Sequence, residues 1–200
     1  MAELLSTFAS INIIMQSEQL IQTLEQQTKA IIARIESLKS LDQQTLTWKA
    51  DPQSWSVLEC LEHLNLYGRF YLPQMAYKIK QASSGPEPEF KSGFLGNYFA
   101  NSMLPKEKLN KMKTFKDKNP LNARLDLSVI DSCLAQQTEL LNLLKLSRQV
   151  SLNRVRIETS LSSLLRFRLG DTFRFIINHI LRHLSQAERV LAEMKGVERL

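Results

Sequence analysis

The run Leu169-Gly170-Asp171-Thr172-Phe173-Arg174-Phe175-Ile176-Ile177-Asn178-His179-Ile180-Leu181-Arg182-His183-Leu184 carries the clearest architectural signal in the chain. Phe173, Ile176, Ile180 and Leu184 recur at threes and fours, and Phe175, Val190 and Leu191 widen and extend the stripe. This is the signature of an amphipathic helix. Asp171 reads as its N-cap, since a short carboxylate can accept from the free amides of a first turn. Gly196 reads as the residue just past its end. His179 and His183 stand four apart, so both imidazoles leave one face with Cβ atoms roughly 5–6 Å apart. Two ring nitrogens so placed can meet one cation, and the spacing equally suits two hydrogen-bonded core histidines. Ile180 follows His179 where a zinc protease carries Glu, so the general base of HExxH is missing.

A second helix announces its own start. Asp51-Pro52-Gln53 is turn chemistry, and Ser56-Val57-Leu58-Glu59 is a capping box in which Ser56 caps the Glu59 amide and Glu59 reaches back. Trp55 is positioned to staple onto Cys60. Val57, Leu61 and Leu64 form the apolar stripe, with His63 about two turns in and a kink or break expected at Pro73. His63 is the remaining histidine of three. If these two helices are neighbours, it completes a three-nitrogen set with positions left open for water or substrate. Imidazole suits zinc, nickel, iron and copper, so spacing does not choose the metal. Glu59 shares the His63 face and Gln186 the His179/His183 face; either can orient a ligand, and Glu59 is assigned to the capping box. Tyr67, four residues after His63, reads as a core tyrosine, with a hydroxyl presented toward the site as the alternative. Cys60 and Cys133, without a CxxC spacing, read as buried small hydrophobes.

Two further helices complete the pattern. The first carries Ile13, Ile14, Leu20, Ile21, Leu24, Ile31, Ile35 and Leu38; the third starts near Asp126 or Ser128 and buries Leu127, Ile130, Leu134, Leu141 and Leu144. Between helices two and three lies an insertion, Ser83–Pro120, with four of the six prolines of the chain. Phe94, Leu95, Tyr98, Phe99 and Met103 have helical spacing within it, so a short helix is expected to pack on the bundle there. Leu152–Leu169 is a connector in which Val155, Ile157 and Leu161 alternate weakly. The fold expected is all-α: residues 1–200 as a single four-helix-bundle domain with a long helix-containing insertion between helices 2 and 3.

Composition agrees. In 200 residues, 44% are hydrophobic and 23% charged, as in ordinary globular chains, and six glycines with six prolines are too few for an all-β sandwich. No apolar run approaches the ~18–20 residues that span a bilayer, and the N-terminus lacks the basic start of a signal peptide, so no membrane association and a cytoplasmic location are expected. The net charge of +6 is concentrated in the Lys106–Lys118 block and the C-terminal half. That block reads as a solvated loop or helix face. It lacks any nucleic-acid-binding motif, so nucleic acid is not the expected partner. A phosphate-binding Gly-rich loop, GxSxG and a spaced Cys–His pair are all missing, and no catalytic residue is assigned.

The residues also resemble a known family. Ser54-Trp55-Ser56-Val57-Leu58-Glu59-Cys60-Leu61-Glu62-His63-Leu64 is similar to the start of the second helix in DinB-like proteins (the DinB/YfiT type), which introduces their first metal histidine. Leu169-Gly170-Asp171-Thr172-Phe173, followed by His179-Ile180-Leu181-Arg182-His183-Leu184-Ser185-Gln186-Ala187-Glu188, resembles that family's last helix. The resemblance implies an up-down-down-up bundle, a homodimer, and one divalent transition metal, zinc or nickel, on His63, His179 and His183. It further implies a small-molecule substrate and a low-molecular-weight thiol cosubstrate. Family members with assigned reactions include S-transferases using bacillithiol or mycothiol, a maleylpyruvate isomerase and a glutathione transferase. The expected activity is therefore thiol S-transfer in a pocket roofed by Phe94–Met103, with Arg168 and Arg174 as candidate carboxylate receivers. Metal-dependent hydrolysis and a non-catalytic metal-binding or interaction bundle are the alternatives.

Overall fold

The computed structural model describes residues 13–105 and 114–197. A short strand β1 (Ile14–Gln16) leads into α1 (Ser17–Ser37), followed by the brief α2 (Gln43–Thr47) and the long α3 (Val57–Lys80). The insertion contributes β2 (Glu89–Lys91) and α4 (Phe94–Ser102). Then come α5 (Ser128–Leu146), the hairpin β3 (Arg156–Thr159) and β4 (Ser162–Arg168), and α6 (Leu169–Val197). Packing sets the order around the bundle: α1 and α3 each lie against both α5 and α6, so α1 and α3 are diagonal. His63 on α3 and the histidine pair on α6 therefore sit on adjacent helices.

The expected stripes explain the core. Leu20, Ile21, Leu24, Ile31 and Ile35 of α1 are buried, as are Val57, Leu61 and Leu64 of α3 and Phe173, Ile176, Ile180 and Leu184 of α6. Burying such a side chain is worth about 1.5–3 kcal/mol, and these rows fix which face of each helix turns inward. The Ser56–Glu59 capping box is present in both directions: the Glu59 amide donates to Ser56 Oγ at 3.2 Å, and the Ser56 amide donates to Glu59 Oε2 at 2.8 Å. Cys60 and Cys133 are free and buried.

Several local expectations are corrected. Ile13 and Ile14 leave the α1 stripe. Ile14 pairs with Lys91 in an antiparallel ladder, and the Ile13 carbonyl accepts from the Ser92 amide at 3.0 Å. Two successive β-branched residues suit extended backbone, and the insertion supplies the partner edge. Pro73 does not break α3, which continues to Lys80; the proline stands on the exposed face, where its ring and missing donor are tolerated. In α5 the inward face is Val129, Ile130, Cys133, Leu140, Leu143 and Leu144, while Leu127 is exposed and Leu134 and Leu141 are only partly buried. The weakly alternating connector is a hairpin that buries Ile157 and Phe167 opposite one another.

The start and end of α6 also differ from expectation. Asp171 is not its cap. The Leu169 and Gly170 amides donate to the carbonyls of Val155 and Leu152 at 3.0 and 3.3 Å, so the connector satisfies the first turn. Asp171 lies inside that turn, fully buried, where its carboxylate accepts from Ser92 Oγ and from the Gly93 amide at 2.8 Å. Arg174 bonds Ser92 Oγ, Asn97 and Asn101 at 2.9–3.2 Å, and Asn178 donates to the Ala100 carbonyl at 2.9 Å. The column Asp171, Arg174, Asn178 thus fastens the insertion to one face of α6. Gly196 is an ordinary helical residue, because α6 continues through Val197.

Candidate metal centre

His63, His179 and His183 come together, each buried, with their candidate ligand atoms all within 4.8 Å of one another. His179 Nε2 lies 3.2 Å from His63 Nε2 and 3.0 Å from His183 Nε2. The outer nitrogens fix the tautomers. His63 Nδ1–H donates to the Lys118 carbonyl at 2.7 Å, and His183 Nδ1–H donates to Gln186 Oε1 at 3.0 Å. A neutral imidazole carries one proton, so both of these rings aim an Nε2 lone pair inward. His179 Nε2 carries at most one hydrogen, so it can donate to one of them and leaves the other's lone pair without a donor.

A shared cation resolves that conflict. Two imidazole nitrogens, each about 2.0–2.1 Å from one zinc ion, lie about 2.8–3.4 Å apart for angles between 90° and tetrahedral. Both contacts at His179 fall in this range, and the whole set closes within 4.8 Å, so the three histidines fit a single divalent transition metal. Burial holds all three rings neutral, the form that ligates: His63 is pushed down to about 4, His183 to about 3, and His179 lies well below the usual value. The positive charges that would form on neighbouring rings, and that of Arg182, push the same way at His179 and His183.

The centre lies in a cleft of about 790 Å³. Its walls are aromatic. Trp55 stands 4.7 Å from the His63 ring and 5.6 Å from His183; Tyr67 is 4.9 Å from His63 and 4.6 Å from His179; Phe175 stacks on His179 at 6.0 Å. Tyr67 is half-buried, packed against the core and lining the cleft, and burial pushes its phenol up to about 12. Trp55, read as a staple over Cys60, lies against the histidines.

The sequence-derived candidates divide clearly. Gln186 orients His183 as anticipated. Glu59 serves the capping box, and its Oε1 also accepts from the Asn122 amide at 2.6 Å and from Lys49 Nζ at 2.8 Å. Arg168 and Arg174 do not line the cleft; both are engaged with the insertion. Of the Phe94–Met103 segment, Met103 alone lines the cleft, and Phe94, Leu95 and Tyr98 face outward. Lys118 ends the block read as solvated, yet its side chain is 13% exposed over Phe70 and its carbonyl orients His63. A backbone acceptor leaves no signal in residue type. Residues 106–113 of that block lie outside the described residues.

A family model described as the DinB superfamily matches residues 23–187. The chain belongs to the DinB superfamily. The match covers α3 and α5 whole, most of α1 and α6, and all three histidines. No curated protein and no solved structure gives a significant match. No helix among the described residues is long and apolar enough to cross a membrane.

Proposed function

We propose that this DinB superfamily chain is a divalent-metal-dependent enzyme that transfers a low-molecular-weight thiol onto an electrophilic small molecule. The observation that carries the reading is the convergence of three Nε2 atoms in a cleft large enough for a ligand. His63, His179 and His183 would hold the ion, zinc or nickel, with the Lys118 carbonyl and Gln186 fixing two of the rings. When bound, such an ion supplies the charge that favours a thiolate over a thiol near neutral pH.

The chain's own sulfur atoms point to an external nucleophile. Cys60 and Cys133 are both buried, neither lines the cleft, and burial raises the thiol of each, that of Cys133 to about 12. The reacting sulfur therefore comes from a cosubstrate. Its bond to the electrophilic carbon forms as the leaving group departs with its electron pair, and the thiol proton passes to water. Trp55, Tyr67 and Phe175 exclude water and offer flat apolar contact to the electrophile. The Tyr67 phenol keeps its proton at neutral pH and can donate it to a developing negative charge.

The test is a thiol screen on chain reloaded with zinc or nickel, using bacillithiol, mycothiol and glutathione with chlorodinitrobenzene. Thioether formation that falls at least a hundredfold in His63→Ala supports the reading. Failure with every thiol, alongside hydrolysis of a model ester or amide, replaces it with the hydrolytic one; failure of both leaves a metal-binding bundle. The homodimer belongs to the same proposal, and light scattering should return twice the 23.0 kDa chain mass.

A further inference from the structure

His179 borders two spaces. Its Nε2 meets the other histidines in the cleft, and its ring also lines a small interior cavity between α3, α5 and α6. The cavity has a volume of about 10 Å³, which holds one water and nothing larger. Tyr67, Gly68, Gln136 and Gln137 share its wall with leucine and isoleucine side chains. Two oxygens on that wall are orphaned. Gln136 Oε1 and Gln137 Oε1 are buried and accept no hydrogen bond among the described residues, a state that buried polar groups seldom keep. Gln137 is 3% exposed, and its amide nitrogen meets only Cys133 Sγ, at 4.0 Å. Gln136 Nε2 donates to the Asn65 carbonyl at 3.2 Å, which turns the oxygen of the same amide onto Gly68. A Cβ at Gly68 would stand 1.8 Å from that oxygen, so the glycine is what admits it.

The third unpaired group belongs to the histidine. To ligate through Nε2, His179 must carry its hydrogen on Nδ1. His63 and His183 give that hydrogen to the Lys118 carbonyl and to Gln186, but His179 Nδ1 has no acceptor among the described residues. One water balances all three groups. It accepts from Nδ1–H and donates one hydrogen to each glutamine oxygen, the three bonds usual for a buried water. We propose that this cavity is the seat of one structural water through which Gln136 and Gln137 position His179 for the ion. A fixed carbonyl would serve one tautomer of His179. A water donates as well as accepts, so it also serves the ring before the ion arrives, when Nε2 holds the hydrogen for His63 or His183. Both glutamines lie on α5, which carries no histidine, so the fourth wall of the bundle joins the centre through them. The inference rests on the metal reading for the use made of the water, and not for its binding.

A crystal structure of the metal-free chain tests the seat, and calorimetric zinc titration tests its use. Density for one water within about 3.2 Å of Gln136 Oε1, Gln137 Oε1 and His179 Nδ1 is expected. Gln137→Met is close in shape and lacks the acceptor. It should weaken zinc at least tenfold while the metal-free variant keeps the parent's melting temperature. A merely structural glutamine would do the reverse, lowering the melt and sparing the affinity. Gln136→Met, on a half-buried side chain, is the companion if Gln137→Met does not fold, with the same expected result. A dry cavity, a water that misses His179, or a smaller loss of zinc affinity overturns the inference and leaves the metal centre standing. A parent chain that binds no zinc overturns the metal reading and the positioning role with it, even with the water in place.

Discussion

Replacing Glu59 by alanine should damage the fold and the centre together. Its carboxylate is 3% exposed and accepts from three donors: the Ser56 amide at 2.8 Å, the Asn122 amide at 2.6 Å and Lys49 Nζ at 2.8 Å. Losing the reciprocal half of a capping box costs about 1 kcal/mol. Leaving the partly buried Asn122 amide unpaired costs about 1–2 kcal/mol, and stripping Lys49 of its carboxylate costs a further ~1 kcal/mol, because Asn122 Oδ1 still accepts from it at 2.9 Å. The sum is about 3–4 kcal/mol, a large share of a typical stability of 5–15 kcal/mol. Urea unfolding followed by circular dichroism should show it.

The conservative Glu59→Gln should keep the fold and still weaken zinc. Glu59 and His63 lie one turn apart on α3 and grip the same segment, one through the Asn122 amide and the other through the Lys118 carbonyl. Loosening the first contact frees the acceptor that orients the ligand, and partners of this kind are worth about 10–100-fold in metal affinity. A loss below ~1 kcal/mol in Glu59→Ala, or unchanged zinc affinity in Glu59→Gln, would refute this reasoning.

Two further outcomes follow from the same structure. Gly96→Ala places a Cβ 2.4 Å from the Asp171 carboxylate, which Ser92 and Gly93 hold in place, so it should cost about 1–3 kcal/mol by urea unfolding; Gly85→Ala, with nothing within 4 Å, should be neutral to within about 0.5 kcal/mol. Metal-free chain should lose stability as pH falls from 7 to 5. The folded histidines are depressed below the ordinary 6.5, His63 to about 4, so the unfolded chain binds more protons in that window. His63 alone then contributes a loss of roughly 2 kcal/mol at pH 5, and a urea midpoint that does not move between pH 7 and 5 would contradict it.

The bundle was legible because its helices bury rows whose spacing is written in residue type: Leu20 to Ile35, Val57 to Leu64, Phe173 to Leu184. The three histidines were legible for a related reason: a four-residue spacing on a helix fixes direction for two of them, His63 is the remaining histidine on a second helix, and the resemblance implied it as a ligand. What stayed hidden depends on partners distant in sequence. Asp171 looks like a cap until Val155 and Leu152 supply the carbonyls for the first turn, and Ile13–Ile14 looks helical until Glu89–Lys91 offers an edge. Lys118 acts through its backbone. Arg182 and Arg189 also line the cleft and could have been found, because they fall on the helical face already marked by His179 and His183.

The central claim is that three imidazoles converge on one ion. The direct measurement is a calorimetric zinc titration of metal-free chain, repeated with His63→Ala, His179→Ala and His183→Ala. One ion per chain, lost or weakened by orders of magnitude in each variant, is the predicted result. No binding to the parent chain, or full-strength binding kept in all three variants, would contradict it.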